Sequence, residues 1–245
     1  MKKAEGYGTL YLLPVWLGEH GGVEQLPPEN IALVQRITLY FTEHEKTARH
    51  MLRRMVPSIE LPALELHRLD KDTTLQEAQN MIALLRDGRD AAIVSEAGMP
   101  GIADPGARLV QAAHRSGISV VPLIGPSSLF LALAASGLSG QQFTFHGYLP
   151  VKQPERKAAI KRLESEARHG AAQLFIETPY RNDAMLADLL STCSGSLQLT
   201  IAIDLTQPGG SVVTRSIDEW ARLGITLGKR PAVFILGRAM GGDRV

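Results

Sequence analysis

Of its 245 residues the chain spends only one on cysteine, Cys193, which excludes an internal disulfide and any cysteine-based metal centre. It also lacks a surplus of charge: Lys+Arg 26 against Asp+Glu 25 leaves a net charge of +1. No global electrostatic pull toward nucleic acid or membrane is built in, and any such attraction must come from a local face. Aromatic residues make up 5% of the chain, so the 44% that is hydrophobic is mainly aliphatic. A chain this long can bury roughly three quarters of the surface its unfolded form exposes, enough core to fold without staples. The apolar run Leu10 to Leu17 is interrupted by Tyr11, Pro14 and Trp16 and falls far short of the ~20 residues a membrane span needs. Lys2 and Lys3 precede it, but no small-residue cleavage site follows closely, so it reads as a buried strand and the protein as cytoplasmic, with no membrane partner. Absent too are G-x-G-x-x-G, a phosphate loop ending in G-K-[ST], and G-x-S-x-G. The seven histidines show no metal-ligand spacing, so no metal is expected.

What is present is alternation. Strand-like segments at Thr9 to Val15, Ile37 to Phe41, Ala91 to Ser95 and Ile118 to Leu123 are separated by helical ones. Leu75, Ala78, Ile82 and Leu85 recur at three and four residues, which predicts an amphipathic helix over 74–86. Thr74 with Glu77 forms a capping-box signature at its start, and Gly88 supplies a stop. The second half restarts the pattern, with helices over 127–135, 154–169, 182–190 and 218–223. Strands are expected at Gln142 to His146, Gln173 to Glu177, Leu197 to Ile203, Val212 to Arg215 and Ala232 to Leu236. The expectation is an α/β protein of two α/β domains with mostly parallel sheets, divided into 1–122 and 123–245 at the glycine-proline turn near Pro122 to Gly125.

Chemistry concentrates in two turns. Ser95-Glu-Ala-Gly-Met-Pro-Gly-Ile-Ala-Asp-Pro-Gly106 leaves a buried strand and enters a helix, with three glycines and two prolines fixing its path. The carboxyl end of a strand is where open parallel sheets bind ligands. Gly98 and Gly101 would let a ligand approach bare backbone, while Pro100 and Pro105 restrict the loop. Asp104, just before Pro105, is equally placed to cap the helix that follows. The second turn, Ile124-Gly-Pro-Ser-Ser128, also joins a strand to a helix whose start its hydroxyls can cap.

The order of strand, S-[DE]-A-G-x-P-x-I-x-D-P-G, helix, strand, V-P-x-x-G-P-S and helix resembles the tetrapyrrole (corrin/porphyrin) methylase superfamily. Within it the chain is most similar to the branch containing the ribosomal RNA small-subunit methyltransferases. The likeness continues through Gly147-Tyr-Leu-Pro150, Phe175-Ile-Glu-Thr-Pro-Tyr-Arg181 and Lys229-Arg-Pro-Ala-Val-Phe-Ile235. It implies a class III methyltransferase fold with S-adenosylmethionine in a cleft between two α/β domains, and a homodimer. Carried over by residue, Ala97, Gly98, Met99 and Ile102 would touch the methionine and ribose parts of that cofactor. Ser127 and Ser128 would lie near its amino-acid end, with Trp16 or Leu17 in the first βα loop. Glu177, Ala202, Pro231 and Ala232 would line the adenosine pocket.

Departures cluster elsewhere. The branch's P-T-P-I-G-N is Pro14-Val-Trp-Leu-Gly-Glu19, its E-D-T-R is Glu43-His-Glu-Lys-Thr-Ala-Arg49, and its D-A-G-T-P is Glu96-Ala-Gly-Met-Pro100. The lysine and glutamate expected around Leu205 to Gly209 are missing. Cofactor-facing loops look kept and acceptor-facing ones changed, which reads as a paralogue. A hydroxyl acceptor must lose a proton, and the candidate bases are Glu43, Glu96, Asp104 and Glu177, with His44 and His146 behind them. RNA is the expected acceptor class, through a ribose 2′-hydroxyl. The alternatives are a small-molecule or tetrapyrrole methylase, or a non-catalytic cofactor-binding paralogue. Lys152, Arg156, Lys157, Lys161 and Arg162 mark one basic helix, either a solvated face or a path for RNA phosphates.

Overall fold

The computed structural model describes residues 6–239, so Lys2 and Lys3 lie outside the described residues. The chain divides into two compact units, residues 1–127 and 128–245.

The first unit is a parallel sheet with helices on both faces. Its elements run β1 (Thr9–Leu13), α1 (Pro28–Val34), β2 (Leu39–Thr42), α2 (Glu45–Met55), β3 (Glu65–Arg68), α3 (Leu75–Arg86), β4 (Ala91–Val94), α4 (Ala107–Arg115) and β5 (Ser119–Pro122). The spatial order is β3-β2-β4-β1-β5, and every neighbouring pair is parallel. Because side chains alternate along a strand, Leu39, Phe41, Ala91 and Ile93 pack beneath α3 and α4, while Tyr40, Ala92 and Val94 pack beneath α1 and α2. Strands covered on both faces explain the unbroken apolar runs. The predicted capping box opens α3: the Thr74 hydroxyl accepts from the Glu77 amide, and the Glu77 carboxylate accepts from the Thr74 amide.

Strand β3 escapes a sequence reading. Its four residues, ELHR, carry no apolar pattern, because an edge strand has one partner and keeps its flank in water. Glu65 holds it by taking bonds from Arg89 and His67.

The second unit holds α5 (Ser128–Ser136), β6 (Phe143–Tyr148), α6 (Gln153–Arg168), β7 (Ala172–Glu177), α7 (Asn182–Thr192), β8 (Gln198–Ile203), β9 (Ser211–Ser216), α8 (Ile217–Leu223) and β10 (Ala232–Gly237). The two α/β domains are as expected, but strand direction in the second differs. In the order β6-β7-β10-β8-β9 only β6 and β7 run parallel. The β8–β9 link of 204–210 is too short for a crossover, so a hairpin forms. One sheet face packs on α6, α7 and α8 around the stacked rings of Phe175 and Phe234, 5.4 Å apart, and the other packs on α5.

The basic helix α6 is bound into this unit. Arg156 is buried and bonds Asp188, itself buried on α7, through Nε at 2.8 Å and Nη2 at 2.6 Å. Lys157 also reaches Asp188, Lys161 reaches Glu164, and Lys152 reaches Glu155. Of the five cations, only Arg162 has no carboxylate within 4.0 Å among the described residues. Arg156 is thereby closed to an RNA phosphate, whereas the Lys152, Lys157 and Lys161 side chains stay 80%, 40% and 60% exposed. Removing one member of a buried pair strands the other charge. Asp188→Ala should therefore lower the free energy of unfolding by about 3 kcal/mol in urea titrations; a loss below about 1 kcal/mol would show that Arg156 finds solvent.

Candidate functional site

The chain leaves β1 toward α1 and β2 on one side of the first sheet, and leaves β4 toward α4 and β5 on the other. The carboxyl ends of the adjacent strands β1 and β4 are thus a topological switch point, where α/β sheets form a ligand crevice. The glycine-proline loop emerges there, and it is pinned. The Gly98 carbonyl accepts from the Val15 amide at 3.0 Å and from the buried Ser95 hydroxyl at 2.6 Å, which ties the loop after β4 to the loop after β1.

Gly98 is needed for packing as much as for access. Its φ is +70°, and a Cβ there would sit 3.1 Å from the Pro126 carbonyl and 3.2 Å from Leu17 Cδ2. Leu17 is accordingly buried under the loop. The open position is Gly101, where φ is +78° and a Cβ would meet nothing within 4 Å. Ala97 and Ile102 are exposed and Met99 is half-buried, so the loop presents a small apolar lip. Behind it lies a cavity of about 350 Å³ lined partly by Trp16, Met51, Arg54, Glu96 and Ala97. Arg54 roofs Trp16, with its guanidinium carbon 4.3 Å from the ring centroid, and donates to the Gly21 carbonyl.

Three of the four candidate bases meet on this rim, and Glu177 belongs to the second unit. Glu43 follows β2 and Glu96 follows β4, the two strands being neighbours. Ligating atoms of Glu43, His44 and Glu96 all lie within 4.8 Å of one another, and His44 Nδ1 is 2.6 Å from Glu96 Oε1. Histidine spacing could not reveal this group, because His44 and Glu96 are 52 positions apart. Asp104 joins it electrostatically: burial first, then the charges of Glu43 and Glu96, push its carboxyl up to about 7. Asp104 does not cap the helix that follows, since Gly106 is the N-cap of α4 and no side chain caps it. Ser127 is buried just ahead of α5, and Ser128 opens that helix.

In the second unit, Glu177, Ala202, Pro231 and Ala232 gather at one end of the sheet. Ala232 is the register partner of Glu177 across β7–β10, and Ala202 that of Val233 across β8–β10. Glu177 Oε1 accepts from the Thr178 amide and from Arg181, whereas Oε2 is buried with no partner. A buried, unsatisfied carboxylate oxygen is costly and suits a hydroxyl donor brought by a ligand. Ala202 is in the core with Leu129 and Val233, so it would offer backbone at most. His146 bonds Gln173 on the neighbouring strand.

The family model for tetrapyrrole (corrin/porphyrin) methylases matches residues 20–221. Curated relatives named ribosomal RNA small subunit methyltransferase I include one from Xylella fastidiosa, 36% identical over 82% of this chain and 69% of its own length. Those of Micromonospora olivasterospora (36% identical, 87% and 64%) and Vibrio cholerae (33%, 82% and 66%) are similar. The chain thus spans close to two thirds of the length of such relatives. Among solved structures, the methyltransferase CobJ aligns with a TM-score of 0.64 at 22% identity, covering 97% of both chains. The uroporphyrin-III-C-methyltransferase of Thermus thermophilus aligns at 0.56 and 19%, covering 95% of both. These two establish the shared fold.

The Asp104 carboxyl has a measurable consequence. Unfolded, it titrates near the ordinary 3.8; folded, near 7, so between these values the folded state holds more protons. Its contribution is complete below the lower value and is lost as pH rises through the upper one. Asp104→Asn should leave the melting temperature unchanged at about pH 4 and raise it at about pH 8. Parallel stability profiles for variant and wild type would contradict the shift.

Proposed function

Because the chain belongs to the tetrapyrrole (corrin/porphyrin) methylase family, we propose that it transfers a methyl group from S-adenosylmethionine to a ribose 2′-hydroxyl of small-subunit ribosomal RNA. The acceptor class is supported by relatives that share the name ribosomal RNA small subunit methyltransferase I. The hydroxyl chemistry is carried by one observation, the His44–Glu96 pair beside the pinned loop.

Each unit offers one feature that suits such a cofactor: the exposed lip of Ala97, Gly101 and Ile102 in the first, and the orphaned Glu177 Oε2 in the second. Ala97, Gly98, Met99 and Ile102 would hold its methionine and ribose parts over Leu17, and Ser127 and Ser128 its amino-acid end. Glu177, Ala202, Pro231 and Ala232 would hold the adenosine, with Glu177 Oε2 accepting a ribose hydroxyl. When bound, the cofactor supplies a methyl already activated by a sulfonium, so the chain's main task is alignment.

The remaining task is to receive a proton. With Nδ1–H donating to Glu96, His44 leaves Nε2 free to take the acceptor's hydroxyl proton, and the Glu96 carboxylate stabilises the resulting charge. Glu43 adds negative potential to the same spot. Asp104, neutral up to about pH 7, can donate a hydrogen bond where another carboxylate would repel. The reading includes action in the cytoplasm as a homodimer; a monomeric mass by light scattering would remove the dimer from it.

The test uses tritiated methyl donor and small ribosomal subunits from a strain lacking this gene. Wild type should place label in alkali-resistant dinucleotides, the mark of a 2′-O-methyl ribose. His44→Ala should lower the rate by roughly a hundredfold or more, with cofactor affinity by calorimetry unchanged. Label confined to bases or absent from RNA would overturn the function, and a full rate in His44→Ala would overturn the base.

A further inference from the structure

Tyr180 is 79% exposed, the highest value among the large apolar side chains of the described residues. It stands in the turn between β7 and α7, and the Lys229 ammonium lies 5.0 Å from its ring centroid. The two meet because β7 ends where its antiparallel neighbour β10 begins. Their backbones are fixed. Buried Asn182 donates through Nδ2 to the carbonyls of Gly228 and Arg230, and Asp183 accepts the amides of Leu227 and Gly228. Arg181, next to Tyr180, is held by Glu177.

The charges around the pair are already committed. Glu177 takes Arg181, Asp204 takes Arg230, and Asp183 takes backbone amides. Lys229 is exposed, with no carboxylate within 4.0 Å among the described residues. At so exposed a site the cation–π contact adds little to this unit's stability, and neither side chain has a further partner among the described residues. The pair matches the two faces of a nucleotide, a π surface and a phosphate.

Resting on the RNA-methyltransferase reading, we propose that Tyr180 and Lys229 dock an unpaired nucleotide of the substrate RNA. Its base stacks on the tyrosine ring and its phosphate is met by the Lys229 ammonium. Such stacking tolerates any base, so the pair holds a single-stranded segment without selecting its sequence. The preformed platform also spares the ordering cost of a mobile loop.

Binding of a fluorescein-labelled single-stranded oligoadenylate to the full-length protein, by anisotropy over a salt series, reads both halves. Tyr180→Ala should weaken binding roughly tenfold, while Tyr180→Phe, which keeps the ring, should restore it. Lys229→Ala should reduce the magnitude of the log–log salt slope by roughly one. Methylation of small ribosomal subunits by Tyr180→Ala should show a raised KM for RNA with little change in kcat, and calorimetric affinity for S-adenosylmethionine should stay at the wild-type value. Because both side chains are exposed, melting temperatures should not move. Wild-type affinity and salt slope in Tyr180→Ala and Lys229→Ala would overturn the docking point and leave the enzyme reading intact. Failure of wild type to bind or methylate RNA would instead overturn the reading beneath it, and the docking point with it.

Discussion

The Gly98 carbonyl is the point on which the first unit's site depends. It lies where two loops leave adjacent parallel strands, and it accepts one bond from each side, Val15 N–H and Ser95 Oγ–H. Those bonds turn two surface loops into one fixed surface. Pro100 and Pro105 narrow the loop's other conformations, and Leu17 fills the space beneath Gly98. Asn30, buried on α1, donates to the Ile124 carbonyl and anchors the second glycine-proline turn to the same unit. Precise positioning is what the proposed methyl transfer from an activated donor needs most, and here hydrogen bonds onto loop carbonyls supply it.

Groups that break ordinary rules lie at strand ends in each unit. Ala103, Asp204 and Thr206 are the non-glycine residues with positive φ among the described residues, in the loops after β4 and β8. Glu177 Oε2 is buried without a partner, and Asp104 holds its proton near neutrality because burial and two carboxylates oppose its ionisation. Elsewhere buried charge is matched, as Arg156 is by Asp188 and Glu164 by Lys161 and Arg168. Strain and unmatched charge persist in folds mainly where function holds them.

Local periodicity made most elements legible, because buried strands and amphipathic helices each impose a pattern on nearby residues. The helix over 74–86 was readable from its apolar spacing and its cap. Strand β3 was not, since an edge strand needs no apolar face. Nor was the direction of β10 against β7 and β8, because a buried strand looks alike whether its neighbour runs parallel or antiparallel. In the site, the motif located the loop, but Gly98 and Gly101 looked equivalent until the packing around each was known. The His44–Glu96 pair needs β2 and β4 side by side, and the Tyr180–Lys229 pair needs β7 against β10; no local pattern carries either. In the basic run over 152–162 the burial of Arg156 was not legible, because its partner Asp188 is remote in sequence.

Amide hydrogen exchange with and without S-adenosylmethionine tests most directly whether the pinned loop seats the methyl donor. Exchange should slow in peptides covering 96–103 and 176–178, with the core strands β2 and β8 unchanged. Saturating cofactor with no change over 96–103, or protection confined to other segments, would contradict that role for the loop.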